Sequence, residues 1–192
     1  MKNLTLIFFI FSLLSYSQNN FTSARSIEIS ENNYEEQLRS SIVKNIELTN
    51  IGPSVMSGRV TDLEVNPNNP TEFYVAYASG GLWHTKNNGT TFSPIMDNSM
   101  TQNIGDFAID WKSNSIYVGT GESNSSRSSY PGIGILKSID NGKSLKNIGL
   151  RDTHHISRFI INPFYNQHVV VAAIVHLYSA NNQRGIFNSY DG

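Results

Sequence analysis

Three sets of short, alternating apolar segments recur about every 50 residues, and each set ends in a turn rich in Asn, Asp and Gly. The sequence therefore predicts an all-β chain, a partial β-propeller of four-stranded antiparallel blades. Composition agrees with this. Asn, Ser, Thr and Gly are abundant, as many turns between short strands require. Tyr, Phe, Val and Ile supply side chains that fit a pleated surface.

Residues 1–17 read as a secretory signal peptide. Lys2 is positive, residues 4–14 are apolar apart from Thr5 and Ser12, and small Ser15 and Ser17 precede a polar stretch. The apolar run is too short to cross ~30 Å of hydrocarbon at ~1.5 Å per residue. The chain is thus expected to be secreted or periplasmic, with no membrane span once the signal is cut. Residues 18–46 form a polar leader, expected to be loosely ordered as far as Asn32. Tyr34, Leu38, Ile42 and Val43 then fall at helical spacing, with Glu35 and Glu36 early in the segment. This predicts a short amphipathic helix over 33–45.

Residues 47–192 are assigned to an incomplete propeller. Blade one covers about 54–97, blade two about 98–150 and blade three about 151–192. The first strands, 60–65, 104–109 and 156–161, carry apolar residues at positions one, four and six. Leu63/Val65 and Phe107/Ile109 alternate with period two, so one side faces a neighbouring sheet. Turns with Asn, Asp or Pro lead to second strands at 73–76, 116–119 and 169–172. Third strands follow at 81–85, 134–138 and 185–189, and residues 145–150 supply a fourth strand to blade two. The pattern of 145–150 also occurs at Leu48, Ile51 and Gly52, which predicts an orphan closing strand before blade one. Ring closure needs ~4–8 blades. About two and three-quarter are counted here, so the natural unit is expected to be longer, with the remaining blades as partners.

The third strands end in related turns at Asn87 and Gly89, at Asp140 and Gly142, and at Asp191. A carboxylate or amide accepts backbone N–H bonds there, and glycine takes a left-handed position. These turns resemble the Asp-box of sialidase-like and sortilin-like propellers. Three departures stand out: Asn at 87, Leu145 in the aromatic position, and a third copy one residue short of its glycine.

From about Ile51 onward the chain resembles bacterial secreted sortilin-like or BNR/Asp-box repeat proteins, often loosely labelled glycosyl hydrolases. The resemblance rests on Ile51-Gly52-Pro53, Ser57-Gly58-Arg59-Val60, Ala78-Ser79-Gly80-Gly81-Leu82-Trp83, Gly119-Thr120-Gly121-Glu122 and His154-His155-Ile156. It implies a propeller and no single activity. The Arg-Ile-Pro motif of sialidases is not found. Ala78-Ser79-Gly80-Gly81 stands where xyloglucan-type endoglucanases carry Asp-x-Gly-Gly, so that carboxylate is missing. Photosystem assembly propellers share the repeat type.

Charge and cysteine usage narrow the function classes. The formal net charge is −1, so no global field draws the chain to nucleic acid. There is no cysteine, which excludes disulfides, thiolate metal sites, a cysteine nucleophile and a lipoprotein anchor. No cofactor or metal is assigned.

The weak catalytic candidates are Asp62, Asp106 and Glu122, with no pair identified; a glycosidase needs two carboxyl groups flanking the scissile bond. Arg59 and Arg158 can line the channel and bind an anionic ligand, or pair with those acids. His154 and His155 precede an inner strand and can bind a ligand, hold a metal or act as acid and base, or serve as hydrogen-bonded loop residues. Adjacent strand residues point to opposite faces, so one ion would not take both. Ser79 reads as part of a tight turn. Glu122 opens a Ser-rich loop on the face where ligands bind. The expected function is a ligand-binding or scaffold module for peptide or glycan. The alternative is the N-terminal part of a secreted glycoside hydrolase whose carboxylates lie partly in further blades.

Overall fold

The computed structural model describes residues 21–46, 58–124, 129–174 and 176–192. The signal peptide and the orphan strand at 48–53 lie outside them. Among the described residues there is one α-helix, α1 (Ala24–Ser40), followed by strands alone. Strands β1 (Val60–Val65), β2 (Phe73–Tyr77), β3 (Gly81–Thr85) and β4 (Ser93–Pro94) form one antiparallel sheet in chain order. A second sheet holds β5 (Ile104–Asp110), β6 (Ser115–Thr120), β7 (Ile135–Ser138) and β8 (Lys146–Gly149). The third holds β9 (Ile156–Ile161), β10 (Val169–Ala173) and β11 (Gly185–Ser189). These are separate up-and-down sheets, and β5 packs between β1 and β9. This is the predicted partial propeller.

Two cores lie between the blades. Leu82, Met96, Phe107, Ile109, Ile116 and Val118 fill the first, and Ala108, Tyr117, Ile156, Phe159, Val169 and Val171 the second. The alternation of β5 explains the division. Phe107 and Ile109 face blade one while Ala108 faces blade three, so Ile104 to Ile109 is buried throughout. Each large side chain so buried contributes about 1.5–3 kcal/mol. Linkers fasten successive blades. Ile104 N–H donates to Ala78 O (3.1 Å) and Gly81 N–H to Gln102 O (2.9 Å), joining the segment before blade two to the β2–β3 turn.

The helix departs from the sequence expectation. It begins at Ala24 rather than near Asn33, so 24–32 is ordered, and it ends at Ser40 rather than near Asn45. Ser23 caps it by accepting the Ser26 N–H at 3.2 Å. Tertiary anchors then hold its first half. Ala24 N–H donates to Asp152 Oδ1 at 2.8 Å, Glu31 pairs with Arg151 at 2.8 Å, and Ile27 packs on the first core. Asp152 and Arg151 lie more than a hundred residues away and the first core begins at Tyr74, where local apolar spacing carries no signal. No helix among the described residues is long and apolar enough to cross a membrane.

Candidate functional site: the end where the inner strands begin

Register fixes which groups share an end. Val60 pairs with Tyr77 and Ile104 with Thr120, so the start of each inner strand lies beside the loop after the second strand. Arg59, Ser79, Glu122, His154, His155 and His176 gather at this end. The turns at Asn87, Asp140 and Asp191 occupy the opposite end.

Asp62, Asp106 and Arg158 hold the third position of β1, β5 and β9. Bulges fall at Val60/Asp62 and Ile104/Asp106 and redirect the backbone at this level. The three side chains meet. Asp62 and Asp106 hydrogen-bond to one another. Asp106 also accepts the Phe159 N–H at 2.6 Å, and Arg158 lies 3.7 Å from its other oxygen. Burial pushes the Asp106 carboxyl up to about 7, Asp62 adds to this, and the Phe159 bond opposes it. Glu64 is raised as well, by burial first and then by Asp62, against a lowering from Arg158. The pair thus carries a proton near neutral pH and offers both a donor and an acceptor. Arg158 leaves 65% of its side chain exposed, so its free N–H groups remain open to a ligand.

At the rim, Arg59 lies 3.6 Å from the buried Glu122 carboxylate. Both arginines are therefore ion-paired. Thr120 Oγ1 shapes the Glu122 loop by donating to Gly134 O at 2.6 Å and accepting Ile133 N–H at 2.7 Å. His155 is fully buried, and its Nδ1 lies 2.8 Å from Glu122 O. Burial holds it below the ordinary imidazole range, and the Glu122 carbonyl partly offsets this. His154 has a left-handed backbone, φ +58°. Its pKa is pushed down to about 4 by burial, then by His176 and His155. Among the described residues no group of three or more His, Cys, Asp or Glu side chains can hold a metal ion. Ser79 sits in the tight β2–β3 turn.

The opposite end is built from local bonds. Asn87 Oδ1 accepts Thr91 N–H at 2.9 Å, and Thr85 Oγ1 accepts Gly89 N–H at 3.0 Å. Asp140 Oδ1 accepts Ser144 N–H at 2.9 Å, and Ser138 Oγ accepts Gly142 N–H at 2.8 Å. Gly89 and Gly142 have φ of +80° and +83°. Asp191 accepts the Ser189 hydroxyl. None of these groups reaches the inner-strand starts.

Sequence reasoning allowed Arg158 and Arg59 to pair with Asp62, Asp106 or Glu122, and the structure pairs Arg158 with Asp106 and Arg59 with Glu122. It missed that Asp62, Asp106 and Arg158 form one cluster, and it missed Glu64. The signal for the cluster lay in the strand alignment, where all three residues fall at position three.

No protein-family model matches the chain, and no curated protein does. Solved structures share its fold. An ancestral GH74 enzyme matches with TM-score 0.58 at 19% identity over 76% of this chain. A GH74 enzyme of Niastella koreensis gives TM-score 0.46 at 23% identity over 58% of the chain, and covers 16% of that protein. The GH74 xyloglucanase of Xanthomonas campestris gives 0.43 at 15% identity over 62%, and covers 18%. The chain spans only 19% of the ancestral enzyme's length. The likeness to the ancestral enzyme supports the propeller-type fold.

Proposed function

We propose that the chain is a blade section of a secreted, BNR/Asp-box-type propeller that binds a glycan at the end where the inner strands begin. A peptide is the competing ligand. Further blades complete the ring in this reading.

The observation that carries it is the direct contact between Asp62 and Asp106. Glycosidase carboxyl pairs stand about 5–9.5 Å apart, to admit a sugar carbon or a water. Two carboxyls sharing a hydrogen bond leave no such gap. They are suited to holding hydroxyl groups, with Arg158 as an exposed donor beside them and Arg59 and Glu122 at the rim.

Glycan-array and peptide-array binding with the full-length protein tests this. Glycan binding in the micromolar range, weakened about tenfold by Arg158→Ala, is the expected result. Absence of glycan binding, or binding indifferent to Arg158, overturns it.

A second reading is the N-terminal part of a secreted glycoside hydrolase, with a catalytic pair completed by other blades. The fold likeness to an ancestral GH74 enzyme supports it. Release of reducing sugar from a bound oligosaccharide by the full-length protein would select it over binding alone.

A further inference from the structure

The leader is fastened to blade three by an aromatic lock. His154 and His176 stack with ring centroids 3.5 Å apart and planes 10° from parallel. Phe21 meets both edge-on, at 5.7 Å and 5.0 Å. His154 donates a ring N–H to Thr22 O. His176 is itself held, with Nδ1 2.8 Å from Ser179 Oγ and Nε2 2.5 Å from Asp152 O. Asp152 then takes the Ala24 N–H through its carboxylate. One residue thus bonds both the histidine pair and the first turn of α1. A cavity of about 310 Å³ lies beside the lock, lined by Phe21, Ile27, His154, His155 and Tyr178 among others.

Two imidazoles in face contact suit the neutral state, since positive charge on both rings at this separation repels in a partly dry site. We propose that the His154–His176 stack is an acid-released latch: it holds the leader and α1 on the blades at neutral pH, and acidification frees them and opens the cavity. Other charged groups near the lock are limited. The segment before blade three brings Arg151, Asp152 and His155, and α1 brings Glu31, already paired with Arg151. The β6–β7 loop brings Glu122, paired with Arg59. Asp152 favours a proton on His154, while His155 and His176 oppose it. The balance holds docked His154 near 4, against about 6.5 for a free histidine. The docked state therefore binds fewer protons, and docking weakens as pH falls from about 6.5 toward about 4.

Hydrogen exchange of the intact chain, corrected for intrinsic rates, tests the latch. Protection in α1 should fall about tenfold between pH ~7 and ~4.5 while β5 stays protected. His154→Gln should flatten that dependence, and His154→Asn, which suits the left-handed backbone at this position, gives the same test if the first variant does not fold. Constant protection of α1 across the range overturns the proposal. So does joint loss in α1 and β5, or an unchanged pH dependence in a folded variant.

Discussion

Asp62 on β1 and Asp106 on β5 share a hydrogen bond across the boundary between two blades. Asp106 is buried, and its pKa is raised to about 7. An unfolded aspartate titrates near 3.9, so the folded state holds the extra proton between about 4 and 7. The stabilisation is complete below that window and is lost as pH rises through it. Asp106→Asn keeps the shape and removes the titration. Relative to this variant, the wild type should lose roughly 1–3 kcal/mol between pH ~4 and ~7. Urea unfolding of both proteins at several pH values checks it. A constant difference would show that the carboxyl pair carries no proton.

The strand triplets were legible because each blade repeats one period-two pattern bounded by turn residues. Position three of the inner strands was equally visible as Asp62, Asp106 and Arg158. Its meaning was not, because only the packing of the blades shows that three residues spread from 62 to 158 converge. The helix start was hidden for the same reason. Ile27, Glu31 and Ala24 are fixed by partners in blades one to three, and no local pattern encodes Asp152 as the acceptor for Ala24.

Gly105 marks a close approach of blades two and three. Its counterparts in blades one and three, Thr61 and Ser157, donate hydroxyls to Ala76 O and Ala172 O. A Cβ at Gly105 would instead collide with the backbone carbonyl of Ile156, which no rotamer change can move aside. Gly105→Ala should cost about 1–3 kcal/mol by overpacking. Ser157→Ala, which loses one half-buried hydrogen bond, should cost about 0.5–1.5 kcal/mol. Denaturant midpoints of the two variants measure the contrast, and equal costs would contradict the close approach.

The turns of blades one and two differ at the central acceptor, Asn87 in one and Asp140 in the other. Asp140 is held down to about 2 by the hydroxyl and amide of Ser144, with the Ser138 hydroxyl assisting. Its carboxylate keeps those bonds above the ordinary aspartate range and releases them as pH falls toward 2. Asn87 makes the matching bond to Thr91 N–H and has nothing to titrate. The Ser144 amide resonance should therefore shift with a midpoint near 2, while that of Thr91 stays flat. A midpoint for Ser144 at the ordinary aspartate value would show that the turn bonds do not hold in solution.

Thr120 decides whether the Glu122 loop keeps its shape. It is completely buried, and its hydroxyl is the acceptor for Ile133 N–H. Gly134 O has a second donor in the Thr120 backbone at 3.0 Å, so that carbonyl survives loss of the hydroxyl. The Ile133 N–H does not. Thr120→Val preserves volume and strands one buried donor, which should cost about 1–3 kcal/mol with an unchanged denaturant slope. Thr120→Ser keeps the hydroxyl and should lose less. The loop joins Thr120 to Gly134 and carries Glu122, the partner of Arg59 and the carbonyl that orients His155. Exchange at the Glu122 amide should therefore rise in Thr120→Val and stay near wild type in Thr120→Ser. If both variants exchange alike, the hydroxyl is not what fixes the rim.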